Sequence, residues 1–203
     1  TYALHTLEEH ETIARLATGI QRFELPDEFN HIKLHQQICT DLKPGSFHSL
    51  RALAEIFENR RQFPKAASYW KQLITHPNKH IRRQAQERRK RIVGNWGRFQ
   101  TTTTQPANQA ASVDFLFRNA TQLHLTARQI NIETLLDDVK QYIRSQPKRL
   151  DHRKINLSDI GYRIVEQNQQ KYIARHIADW KLELDPRPNH MDRRITIQTP
   201  LQQ

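Results

Sequence analysis

The spacing of apolar residues along this chain changes period once, near Phe99, and that change limits the fold more than any other feature. A helix buries a stripe that recurs every 3.6 residues, whereas a half-buried strand buries alternate ones. Up to Val93 the spacing is helical. Ile13, Leu16, Ala17 and Ile20 form one stripe, and Phe29, Ile32, Cys39 and Leu42 lie close to a second that follows the start signal Pro26-Asp27. Lys43-Pro44-Gly45-Ser46 breaks the chain before a third stripe of Leu50, Leu53, Ala54 and Phe57. Phe63-Pro64 restarts a helix with proline in the first turn, where its missing N–H costs nothing. Ala66, Ala67, Trp70, Leu73 and Ile74 line that fourth helix, and Ile81, Ala85 and Ile92 a fifth.

Beyond Phe99, Thr101 to Ala111 is polar, contains Pro106 and reads as a linker. Val113, Phe115 and Phe117 then alternate with Asp114 and Arg118, and Leu123, Leu125 and Ala127 with His124, Thr126 and Arg128, giving two half-buried strands joined near Asn119-Ala120. That turn is weaker than Asn-Gly, because Ala120 is strained at positive φ. Asn131 caps a helix with an apolar stripe of Ile132, Leu135, Leu136, Val139 and Ile143 that ends before Pro147. A shorter helix is expected around Ser158 to Gln167, then strands carrying Trp180, Leu182 and Leu184, and Ile195, Ile197 and Thr199. The expected class is therefore α+β. A helical region over 1–99 and a linker over 100–111 lead into an incomplete antiparallel, sandwich-like β-domain with two inserted helices over 112–203. Its strands are too few for an ordinary sandwich of about seven.

Between the halves stands VGNWGRF. Gly94 suits a left-handed helix cap and Gly97 a second bend, which frees Trp96 and Phe99 to pack as a plug on the helical array. These four residues are expected to form a structural joint.

The net charge of +11 is most concentrated in Lys79 to Arg91, a helical stretch with seven basic residues and only Glu87 against them. Arg82, Arg83, Arg88, Arg89, Lys90 and Arg91 are its candidate interaction patch. Phosphate contacts supply most non-specific affinity for nucleic acid, but no aromatic residues interleave for base stacking and no recognised motif accompanies the patch. A solvated face or a protein-docking patch fits better than nucleic acid.

Catalytic chemistry finds little to use. The five glycines cannot be laid on a phosphate-binding loop, and no serine sits in a G-x-S-x-G elbow. Cys39, the single cysteine, lies on an apolar stripe as an inert thiol and cannot form an internal disulfide. His31, His35 and Cys39 share a helix face, but three ligands on one straight helix cannot readily surround a tetrahedral ion. Asp137 and Asp138 are adjacent, point about 100° apart and read as a solvated face, not an acid/base pair. No catalytic, cofactor-binding or metal-ligating residue is assigned, and no cofactor is expected. No apolar run approaches the roughly 20 residues of a membrane span, and the first residues do not form a signal peptide. The ends read as cuts in a longer protein.

The hairpin of the third and fourth helices resembles a tetratricopeptide repeat, with Leu53, Ala54, Phe57, Ala66 and Trp70 at that repeat's spacing. Ala54 stands where glycine is usual, and Pro77 comes one residue early. In this order, IFENRRQFPKAASYW, IVGNWGRF, VDFLFRN, INLSDIGYRIVEQNQ and RRITIQTPLQ resemble the amino-terminal part of large bacterial proteins of the alpha-2-macroglobulin family. In that family helical repeats precede the first macroglobulin-type β-domains. The resemblance covers nearly the whole chain and implies an extracytoplasmic protein similar to protease traps. In those, a bait segment is cleaved, the molecule collapses around the protease, and in many members a Cys-Gly-Glu-Gln thioester attaches to it. Cys39 is followed by Thr40-Asp41, so none of that machinery maps onto these residues. The implied partners are proteases, through the parent protein, and other domains of the same chain. The alternative is a cytoplasmic repeat adaptor that docks an acidic protein or RNA through Lys79 to Arg91.

Overall fold

The structure is a computed structural model and describes residues 4–41, 46–101, 110–149, 151–156, 161, 164 and 170–202. It is of mixed α+β class, with helices and small antiparallel sheets. The described residues divide into two compact units, one within Thr1–Ala107, Ala111–Thr121 and Leu184–Thr199, the other within Asn108–Ala110, Gln122–Glu183 and Pro200–Gln203.

The first unit opens with a hairpin, β1 (Glu11–Leu16) and β2 (Gly19–Glu24), in which Ile13 faces Arg22 and Leu16 faces Gly19. The helix expected over Ile13 to Ile20 is therefore absent. Gly19 sits at φ +121, a conformation that ends a helix and lets the chain reverse after Ala17-Thr18. Four helices follow: α1 (His31–Asp41), α2 (Phe47–Asn59), α3 (Phe63–Leu73) and α4 (Lys79–Val93). Residues 42–45, with Leu42 and most of the expected break, lie outside the described residues, between Asp41 and Ser46. The stripes meet in one core of Ile32, Leu53, Ala54, Phe57, Ala66, Ala67, Trp70, Leu73, Ala85 and Ile92.

The small residues Ala54, Ala66 and Ala67 let α2 and α3 approach, and Phe57 stacks on Tyr69 with ring centroids 5.5 Å apart. The connection between these helices is a left-handed cap. Arg61 takes φ 57, Gln62 N–H donates to the Phe57 carbonyl and Arg61 N–H to that of Glu58. The Gln62 side chain, which could have capped α3, instead donates to the Leu7 carbonyl at 2.6 Å, while Arg60 donates to the carbonyls of Glu8 and Glu11. These bonds tie the amino-terminal segment to the α2–α3 turn.

The same unit holds strands from a three-stranded sheet in the order β3-β4-β7, where β3 is Trp96–Phe99, β4 is Ala110–Arg118 and β7 is Arg193–Gln202. β3 and β4 run antiparallel, pairing Trp96 with Arg118, Gly97 with Phe117 and Phe99 with Phe115. Alternation puts Gly97, Phe99, Phe115 and Phe117 on one face and Trp96, Arg98, Leu116 and Arg118 on the other. Phe115, Phe117 and Ile197 are buried. The expected linker is shorter than 100–111: residues 102–109 lie outside the described residues, and Ala110 and Ala111 already belong to β4.

In the second unit, β5 (Gln122–Ile130) pairs antiparallel with β6 (Ile173–Glu183), Leu125 facing Trp180. The expected hairpin of the strands around Asn119-Ala120 does not form, since β4 pairs with β3 and β7 while β5 pairs with β6. Positive φ falls on Asn119, which tolerates it, and not on Ala120. Asn131 caps α5 (Ile132–Arg144) by accepting from Thr134 N–H at 3.1 Å, as expected. Only Leu135 of its stripe is buried. A short α6 (His152–Ile155) follows, and the helix expected over Ser158 to Gln167 lies almost wholly outside the described residues.

Candidate functional site: the end of the basic helix

The basic segment folds as α4, with Asn78 accepting from His80 N–H at its start. Its cations do not form one solvated row. Arg82 donates to the His76 carbonyl, and Arg88 lies 3.5 Å from the Glu58 carboxylate with its guanidinium 5.9 Å from the centroid of Trp70. Burial pushes the Glu58 carboxyl up, and the Arg88 charge opposes that shift. Arg89 has its Nε buried, and Arg83 sits 3.9 Å from Glu87 one turn on. Lys90 and Arg91 are left exposed at the C-terminal end, and among the described residues neither is ion-paired.

Those two cations belong to a pocket of about 560 Å³ lined by Glu87, Lys90, Arg91, Gly94, Asn95, Trp96 and Arg118. The expected interaction patch and the expected joint thus meet in one place. The joint itself is built differently from the sequence reading. Gly94 has φ −77 and ψ 155, which is extended and not left-handed. Its N–H donates to the Lys90 carbonyl at 2.8 Å, and a Cβ on Gly94 would lie 2.6 Å from that same oxygen. Glycine is required by close approach to the helix end, not by the sign of φ. Gly97 makes no bend either: it lies inside β3, and the Phe115 ring occupies the place of its missing Cβ.

Trp96 and Phe99 do not plug the helical array. Trp96 is 40% exposed and Phe99 52% exposed. The regular pleat sends them to opposite faces of β3, where Phe99 packs at 5.2 Å on Phe115 and Trp96 stands beside Arg98 at 5.7 Å. The residues that close the end of α4 are ones the sequence reading did not assign. Asn119 donates from Nδ2 to the carbonyls of Ile92 and Gly94, and its Oδ1 meets His190 Nδ1 at 2.8 Å. With its amide group committed to the two carbonyls, Asn119 offers only the oxygen to His190, so Nδ1 carries the proton. Arg118 donates to the Arg91 carbonyl, pairs with Asp192 at 2.8 Å and lies 4.9 Å over the Phe63 ring. Burial, then the charges of Arg118 and Arg89, hold the His190 imidazole below its usual pKa. The one legible signal was Asn119, a residue that accepts positive φ, but its long-range partners have no local signature.

The other residues weighed in the sequence are dispersed. His35 Nδ1 lies 3.2 Å from Ser49 Oγ, and half-buried Cys39 has its thiol pKa raised by burial. Among the described residues no group of three or more His, Cys, Asp or Glu is placed to hold a metal ion. Asp137 is paired with Lys140 at 3.3 Å, but Asp138 is more than a solvated carboxylate. It accepts from the hydroxyl of buried Tyr172 at 2.7 Å and pairs with Lys171, tying α5 to the start of β6. Among the described residues no helix is long and apolar enough to cross a membrane.

No family model, curated protein or solved structure matches this chain.

Proposed function

We propose that this chain is a non-catalytic scaffold and interaction part of a large, extracytoplasmic protein of the alpha-2-macroglobulin type, and that the parent protein restrains proteases. The observation that carries this reading is the order and chemistry of its parts. A helical hairpin closes over Leu53, Ala54, Phe57, Ala66 and Trp70, and the chain then enters short open antiparallel sheets through Trp96–Phe99. Small residues at the α2–α3 crossing and aromatics between the helices are what a tetratricopeptide-like pair needs. Each pair buries its outer face only against a neighbour, so such a unit serves as a packing and docking element within a larger array. Among the described residues the β3-β4-β7 sheet has three strands and so two outer edges, which in the proposed parent would pack against further parts.

Under this reading the 203 residues bind and position, while trapping belongs to the parent. The test mixes the full-length gene product with trypsin and follows hydrolysis of casein and of a small chromogenic peptide. A trap removes activity on casein and spares the peptide, because an enclosed protease still admits small substrates. Inhibition of neither or of both contradicts the reading. The 203-residue chain alone should inhibit neither substrate and show no hydrolase or transferase turnover of its own.

A further inference from the structure

We infer that the pocket at the C-terminal end of α4 binds an acidic peptide segment, taking a carboxylate between Lys90 and Arg91 and a neighbouring apolar side chain against Trp96. The pocket's chemistry does not depend on the proposed parent protein.

The charge balance of the pocket comes first. A helix end presents unsatisfied carbonyls that attract cations. Here other groups satisfy them: Arg118 donates to the Arg91 carbonyl, Asn119 to those of Ile92 and Gly94, and Gly94 N–H to that of Lys90. Lys90 and Arg91 are therefore not consumed by the helix terminus. Arg118 is neutralised by Asp192, and Glu87 faces Arg83. What remains on the wall beside Glu87 is a pair of adjacent cations, neither within ion-pair distance of a carboxylate among the described residues, with Arg91 acting on Glu58 only at longer range. The Lys90 stem lies close to Gly94, 3.6 Å from where a Cβ would stand, so the glycine opens the floor on which that side chain rests.

The apolar component is Trp96. Trp96 is 40% exposed; with Arg98 over one face of its ring at 5.7 Å, the rest of the ring offers an apolar contact to a second side chain while Lys90 and Arg91 hold a charged one. A pocket of about 560 Å³ has room for such a pair of side chains. Trp96 also lies on β3, an outer strand of its sheet among the described residues, and an outer edge can hydrogen-bond an extended peptide backbone.

RNA fits the same surface less well. Arg82 donates to the His76 carbonyl, Arg88 faces Glu58 and the Arg89 Nε is buried, so α4 lacks the continuous row of exposed cations that tracks a phosphate backbone. Among the described residues Trp96 is the one aromatic that lines the pocket, which gives no platform for successive bases.

The test uses the 203-residue chain labelled with 15N, in which the indole N–H of Trp96 reports directly on the pocket. Three ligands are titrated: a capped Glu-Glu-Phe-Glu peptide, its Gln-Gln-Phe-Gln counterpart and a short oligouridylate. The acidic peptide should move the Trp96 signal saturably, and the Gln peptide should not. The double variant Lys90→Gln, Arg91→Gln should keep its melting temperature and weaken acidic-peptide binding by about tenfold, as loss of two rim charges implies. Trp96→Phe should retain most of the affinity and Trp96→Ala lose it. The inference is overturned by an unmoved Trp96 signal, by equal binding of the Gln peptide, by undiminished affinity in the double variant, or by oligouridylate displacing the acidic peptide.

Discussion

Gly94 holds its Cα so close to the end of α4 that a methyl group would meet the Lys90 carbonyl oxygen at 2.6 Å, a contact only a backbone shift can relieve. Gly94→Ala should therefore lower stability by about 1–3 kcal/mol, read as a lower urea midpoint with an unchanged slope. A left-handed cap would have given a similar cost for a different reason, so the φ of −77 is what separates the two accounts. Trp96 shows the opposite side of the same lesson. Two bends at Gly94 and Gly97 would have freed it to pack on the helices, but position along a strand decides which face a side chain joins, and a one-residue change reverses it. His190 carries a pH dependence. Burial and the charges of Arg118 and Arg89 depress its folded pKa below the unfolded value of about 6.5. The unfolded state therefore binds the proton more readily, and the stability this neutral imidazole confers is complete above about pH 6.5 and is lost as pH falls towards the folded pKa. His190→Gln should flatten the fall in melting temperature between about pH 7 and pH 5, and leave losses from carboxylate protonation near pH 4 in place.

At the scale of elements, the α2–α3 hairpin contains a correctable strain. Arg61 occupies the left-handed position of the helix cap at φ 57, where glycine is the usual residue. Arg61→Gly should stabilise the chain by about 0.5–1 kcal/mol, whereas Arg61→Ala keeps the Cβ and should gain little. Thermal unfolding of the two variants distinguishes relief of backbone strain from loss of the long side chain. This hairpin, α4 and α5 were legible in the sequence from their stripes, with Pro64 in the first turn of α3 and Asn131 as the side-chain cap of α5 as further signals; the Asn78 cap of α4 is seen only in the structure. β1 and β2 were not. Ile13, Leu16 and Ile20 satisfy helical spacing, but the hairpin is mostly exposed, so burial did not write a clear alternation into it. Gly19 was the overlooked sign. β3 was missed for a related reason: four residues with a glycine inside carry no period, and its strand identity comes from the Phe115 ring that the glycine admits. Alternation announced β4 and β5 as strands but not their partners, which lie far along the chain in β7 and β6.

Across the whole molecule, the chain leaves the first compact unit after Thr121, builds a second one over Gln122–Glu183, and returns at Leu184. A sequence read from one end to the other divides it once, near residue 100, whereas contacts divide it by excursion and return. The candidate site follows from that return, since Arg118 and Asn119 on one side of the excursion meet Asp192 and His190 on the other. Their bonds secure the end of α4 and leave Lys90, Arg91 and Trp96 facing outward. This arrangement suits a part that docks against others, and the proposed parent is a protein built of many such parts. The most direct measurement is the sequence of the complete gene product that contains these 203 residues. The proposal expects a far longer chain, with a run of further β-domains after Gln203. A stop shortly after Gln203, with no β-domain beyond it, would contradict it.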